Sequence, residues 1–116
     1  MEHELQNEVN LLHARVCHAL ADPKRILLLY ALASKPYRVV DLMELLGVSQ
    51  PTVSHHLKVL REQGLVAGRR EGNETYYYLL DKRVIEALDL LRAVLRDMLI
   101  RQANLAQHIG DAGSET

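Results

Sequence analysis

The stretch SQPTVSHHLKVLREQGLV, Ser49 to Val66, crowds two adjacent histidines, a lysine and an arginine into what reads as one short helix. Such side chains serve three chemistries: metal ligation, proton transfer and the binding of a polyanion. Adjacent helical residues point about 100° apart, so His55 and His56 cannot both grip one ion. On a helical wheel Val53, Leu57 and Leu60 cluster on the side that must be buried. His55 and Lys58 point the opposite way, with Gln50, Ser54 and Arg61 on one flank and Glu62 beside His55. His55 is therefore expected to face solvent and His56 to pack at the edge of the core. Glutamine offers a donor and an acceptor to a base edge, and serine serves either way. Lys58 and Arg61 can neutralise phosphates, and the helix N-terminus adds partial positive charge and free N–H groups. Gln50, Thr52, Ser54, His55, Lys58 and Arg61 are the candidate DNA contacts of this helix.

A second basic element follows. Val66–Arg70 and Thr75–Leu80 read as short strands, with Gly72-Asn73 as the turn of a hairpin. Arg69, Arg70 and Asn73 suit an adjacent phosphate or the minor groove, while Glu62, Glu71 and Glu74 moderate the field. Upstream, Leu5, Val9, Leu12, Val16 and Ala19 recur at alternating spacings of four and three, the seam of a helix over Glu4 to Ala21. Asp22-Pro23 places an N-cap and a first-turn proline before a second helix, Pro23 to Ala33. Val39 to Leu46 is a third, closed by Gly47, and Ser49 is the N-cap candidate of the fourth, which Gly64 ends. Asp81 caps a long final helix to about Ile109, with Leu88, Leu91, Leu95, Met98, Leu105 and Ile109 on one heptad stripe that Gln102 interrupts. The expected order is α-α-α-α-β-β-α, mostly helical with a small hairpin (α+β): a winged helix-turn-helix in one domain, residues 1–110, with 111–116 a disordered tail. Such a polar face can also be merely solvated. Its place on a helix-turn-helix beside a basic hairpin favours DNA.

The bulk composition narrows the classes. The chain has 116 residues, 48% of them apolar, with no Trp and no Phe, so one modest aliphatic core is expected. No apolar run is long enough to span a bilayer and the N-terminus lacks a signal-peptide pattern, so a cytoplasmic protein without a membrane partner is the expectation. The lone Cys17 excludes an intrachain disulfide. Net charge is -1, so positive charge for nucleic acid must gather on one face. There is no Gly-rich phosphate loop, HExxH or GxSxG, and an enzyme is not expected. A winged helix that binds protein instead of DNA would carry acidic or apolar residues on the outward face of the fourth helix; this one carries Gln, Ser, His, Lys and Arg.

"HALADPKRILLLYAL" followed by "VVDLMELLGVSQPTVSHHLKVLREQGLVAGRREGNETYYYLL" resembles the ArsR/SmtB family of dimeric winged-helix repressors, closely over Cys17 to Leu80 and in outline beyond. The resemblance implies that Gln50, Ser54 and His55 enter the major groove, that Arg69 to Asn73 form the wing, and that a homodimer is built from the first and last helices. The seam residues Leu5, Val9, Leu12, Val16, Leu88, Leu91, Leu95 and Met98 are the candidate interface, because a lone helix of such length and leucine content needs a partner. It implies a palindromic operator and release by an effector. The family's usual metal sites are not matched. Arg38-Val39-Val40-Asp41-Leu42 has no cysteine where one site lies, and Asp81, Arg83, Val94 and Asp97 lack the nitrogen ligands of the other. Arg83 and Asp97 either pair across the dimer there or are ordinary solvated charges. One further candidate for a divalent or soft metal ion stands apart: His13 and Cys17 are four residues apart on the first helix, to be completed by His108 or a second subunit. The other reading of Cys17 is a small buried apolar residue. The effector's identity does not follow from the sequence.

Overall fold

A computed structural model describes the backbone of residues 1–114 and the side chains of residues 1–110. It divides into two compact units, Met1–Lys82 and the segment from Arg83 onward. The first unit contains α1 (His3–Leu12), a π-helical turn (His13–Cys17), α2 (Pro23–Ser34), α3 (Val39–Leu46), α4 (Gln50–Glu62) and the strands β1 (Val66–Glu71) and β2 (Glu74–Leu79). The second is α5, Arg83–Ser114. The fold is a winged helix-turn-helix. α5 runs through residues 111–114, past the point where small polar residues led us to expect a tail; residues 115–116, the end of that expected tail, lie outside the described residues.

Each boundary has a local cause. Asp22 is extended, and its Oδ1 accepts from the Lys24 N–H at 2.8 Å, capping α2 ahead of Pro23. That hydrogen bond holds the Asp22 carboxyl below its ordinary range. Asp22→Ala is expected to lower stability by about 1 kcal/mol, the usual contribution of such a cap. An unchanged urea midpoint for that variant would refute this. Gly47 ends α3 in the left-handed region (φ 66, ψ 35), where its N–H and that of Val48 both reach the Met43 carbonyl. Ser49 is the N-cap of α4 by position, but its hydroxyl meets the Thr52 hydroxyl at 3.0 Å and makes no capping bond.

The hairpin pairs Val66 with Leu79 through Glu71 with Glu74, one residue longer on β1 than the sequence suggests, and β2 starts and ends one residue earlier. Gly68 is closely approached: a Cβ there would stand 3.1 Å from Thr75 Cγ2 and 3.3 Å from Tyr77 Cε1, so a larger residue needs those side chains to shift by a few tenths of an ångström. Tyr37, in the α2–α3 connection, forms an antiparallel bridge with Tyr77, its N–H donating to the Tyr77 carbonyl at 3.1 Å and its carbonyl accepting at 2.8 Å.

The core of the first unit is aliphatic, as expected without Trp or Phe. Leu28 and Leu29 of α2, Leu42 of α3, Val53, Leu57 and Leu60 of α4 and Val66 of β1 are almost completely buried. The stripe of α2 that goes inside is Arg25, Leu28, Leu29 and Leu32, while Leu27 is exposed. The first helix departs from the expected continuous one. Its last full turn, His13–Cys17, is π-helical, with no Pro or Gly in the sequence to mark it.

Candidate nucleic-acid interface

The outward face of α4 is open. Val53, Leu57 and Leu60 anchor the helix, so the residues between them are turned outward. Gln50, His55, Lys58 and Arg61 are exposed, and Thr52 and Ser54 are half-buried. Gln50 Nε2 donates to Ser54 Oγ at 2.7 Å, one turn along. The pair is thereby pre-organised: the serine proton is turned free to donate, and Gln50 Oε1 and its second N–H remain for another partner. Lys58 Nζ lies 3.9 Å from Glu62 Oε1, an exposed pair that phosphate can displace.

The wing closes the other side. Arg70 and Asn73 line a groove shared with Gln50 and Ser54, together with Val40, Thr75 and the charged pair Arg38 and Glu74. Arg69 points to the opposite face of the hairpin, as the period of a strand demands. There its guanidinium pairs with Glu71 at 2.9 Å and lies 5.9 Å from the centre of the Tyr78 ring. The two arginines, read from the sequence as one basic unit, are thus separated: of the two, Arg70 alone shares the groove with α4.

Arg38, the N-cap residue of α3, was not singled out as a functional residue. Its Nη2 and Nε donate to Asp41 at 2.9 and 3.0 Å, and its Nη1 donates to Glu74 of β2 at 2.6 Å. The Asp41 carboxyl is held below its ordinary range by these bonds, and the Arg38 guanidinium is made still harder to deprotonate. Glu71 and Glu74 are directly cross-strand, an unfavourable like-charge pair. Each is relieved by its own arginine, Arg69 and Arg38 respectively.

Arg25 was also missed. It is 8% exposed, and its Nε and Nη2 donate to the Ala19 and His18 carbonyls at 2.8 and 3.0 Å. Its Nη1 lies 3.2 Å from Nδ1 of His56, which is 7% exposed and packs inside as expected. His55 is exposed, also as expected.

Cys17 is exposed, not buried, and among the described residues no group of three or more His, Cys, Asp or Glu side chains is placed to hold an ion. His13 and Cys17 occupy the π-helical turn, and His108 lies on α5. The seam residues are open instead. Leu5, Val9 and Leu12 are exposed on the first helix and Val16 is half-buried. On α5, Leu91, Leu95, Met98, Leu105 and Ile109 are exposed and Leu88 is buried.

Three comparisons bear on this arrangement. Residues 22–67 match the family described as "Bacterial regulatory protein, arsR family". The "HTH-type transcriptional regulator NmtR" of Mycobacterium tuberculosis is 45% identical over 76 residues, 66% of this chain and 63% of that protein, so the chain spans a little under two thirds of this relative. The nodulation protein NolR of Rhizobium meliloti is 34% identical over 103 residues, 84% of each chain. Among solved structures, a homodimeric winged helix-turn-helix DNA-binding domain from Mycobacterium bovis, described as a possible ArsR-family transcriptional regulator, superposes with a TM-score of 0.72 at 29% identity, covering 85% of this chain and 91% of that one.

Proposed function

Because this chain belongs to the ArsR family of bacterial regulatory proteins, we propose that it is a sequence-specific DNA-binding repressor, acting as a homodimer on a palindromic operator. The observation that carries the reading is the groove in which Gln50 and Ser54 of α4 face Arg70 and Asn73 of the wing. Its shape suits a duplex whose base edges meet the helix while its backbone meets the hairpin. Gln50, Thr52, Ser54 and His55 are assigned to base edges and adjacent sugar-phosphate, and Lys58, Arg61, Arg69, Arg70 and Asn73 to phosphates. The exposed leucines of the first and last helices, Leu5, Val9, Leu12, Leu91 and Leu95, are assigned to the second subunit. The family is one of regulators and not of enzymes.

The test is selection from a random-sequence duplex pool, followed by anisotropy on the recovered duplex. A palindromic consensus is expected, with half-sites about one helical turn apart. Recovery of no consensus at low salt would sink the reading. Arg70→Ala is expected to weaken recovered and scrambled duplex alike and to reduce the slope of log K against log salt by about 2, one for each subunit of the dimer. Arg69→Ala should do less, because Glu71 already neutralises it. Equal effects of the two, or a change of sequence preference in either, would contradict this division of labour.

A further inference from the structure

Arg25 is an arginine inside the first unit with no bonded carboxylate: its partners are two main-chain carbonyls at the end of the first helix and one imidazole on α4. Arginine only donates, so Nδ1 of His56 must be the acceptor and the ring proton sits on Nε2. That nitrogen faces Asp22 Oδ2 at 3.9 Å. His56 is therefore neutral with a defined tautomer, set by the end of the first helix on one side and the cap of α2 on the other.

The geometry is restrictive. Three guanidinium nitrogens are committed to acceptors on two elements, and the fork is rigid. If α4 shifted along its axis, Arg25 would be left buried and short of an acceptor, which is costly. A second tie acts at the far end of the same helix. Arg15, in the π-helical turn, donates from Nε to Gln63 Oε1 at 3.3 Å and from Nη2 to the Gln63 carbonyl at 3.5 Å, next to the negative end of the α4 dipole. α4 is thus held to the end of the first helix both near its middle and at its C-terminus.

We propose that Arg25 and His56 are positioning residues for DNA reading, which hold the reading face of α4 in register with the end of the first helix through a neutral His56. The inference rests on the DNA-binding reading above. It makes the first helix, whose exposed leucines are assigned to the second subunit, the reference from which α4 is aligned. Protonation of His56 would put an N–H where Arg25 Nη1 already points and bring two cations together. The charged groups facing the ring are Asp22, Lys24 and Arg25 from α2 and its cap, and His55 from α4. Burial is the main effect holding His56 below its ordinary range, opposed by Asp22 and reinforced by Arg25. The sign follows: a histidine whose proton affinity is lowered by folding contributes stability that is present above its ordinary range and is lost as pH falls below it.

The experiment compares wild type, His56→Asn and His56→Leu. Asn keeps an acceptor where Nδ1 stands but does not titrate; Leu removes the acceptor. Preference is measured as the affinity ratio of the selected duplex to a scrambled one, at about pH 8 and about pH 5.5. Every other group of the protein, the exposed His55 included, is the same in wild type and the Asn variant, so only the difference between their acid responses is assigned to His56. Wild type is expected to lose preference by about tenfold on acidification with its circular dichroism unchanged, Asn to hold it, and Leu to lack it by about tenfold even at the higher pH. A folded Leu variant with full preference, or an Asn variant with the acid loss of wild type, would overturn the proposal. Failure of the DNA reading is separable, because it shows as wild type preferring no sequence. In that case the free protein decides: unprotonated Nδ1 by nitrogen NMR and faster amide exchange in α4 of the Leu variant support positioning. An Nδ1–H tautomer or unchanged exchange overturns it.

Discussion

Replacing Gln50 and Ser54 together by alanine is expected to abolish sequence preference while leaving general DNA affinity in place. Neither residue contributes to the core: Gln50 is exposed, Ser54 is half-buried, and their polar atoms engage each other at 2.7 Å. The change therefore costs little stability, and alanine is a good helix former. What is lost is the pre-organised pair of donors and acceptors beside the groove. A good base contact discriminates by about 1–3 kcal/mol, so losing two lowers the ratio of selected to scrambled affinity by about 30-fold to about 20,000-fold. The cations assigned to phosphates remain, so the salt slope should not move. Titration of both duplexes at several salt concentrations measures the two quantities separately. A fall in affinity shared by both duplexes would instead make this pair a backbone contact.

Leu91→Glu with Leu95→Glu is expected to have an effect of similar size by a different route. Both leucines are exposed on α5, at 59% and 52%, and stand one turn apart with Met98 following on the same stripe. The exposed leucines of α5 form such a stripe, and their assignment to a second subunit rests on the rule that isolated exposed apolar side chains are common but contiguous stripes are not. Two carboxylates placed in that stripe oppose burial. The variant should sediment as a monomer with its helical circular dichroism retained, because the residues are exposed in the single chain. Each half-site must then be bound alone, and the gain from linking two reading heads, about 10²- to 10⁴-fold, disappears. A variant that remains dimeric, or a monomer that binds the palindrome as tightly as wild type, would remove α5 from the interface.

The elements were legible in the sequence where their causes are local. Asp22-Pro23, Gly47 and Gly72-Asn73 are punctuation whose chemistry needs no tertiary context, and each does in the structure what its residue type demands. The split of His55 outward and His56 inward followed from the wheel alone. Arg25 shows the opposite case. Positions 25, 28, 29 and 32 have the spacing of a buried stripe, yet a guanidinium at one of them reads as solvent until its partners, from six to thirty-one residues away, are known. Arg69 and Arg70 were separable in principle by the two-residue period, but adjacency in a basic run obscured it. The Tyr37 bridge and the Arg38–Glu74 pair could not be read, since both depend on where a distant loop meets the hairpin. The π-helical turn had no residue-level signal at all.

The Tyr37–Tyr77 bridge also divides the hairpin for the purposes of divergence. A two-stranded ribbon is marginal by itself, and this one gains a third, single-residue strand only at its inner half. Val66, Gly68 and Tyr77 are constrained there by burial, by the space that Gly68 leaves open and by the bridge. Beyond Arg69 the ribbon is mostly exposed, and the half-buried Thr75, the turn and surface ion pairs are what limit the choice of residue. A lineage of such proteins can therefore change its outer hairpin by small steps, substitution by substitution, without renegotiating the fold that presents it.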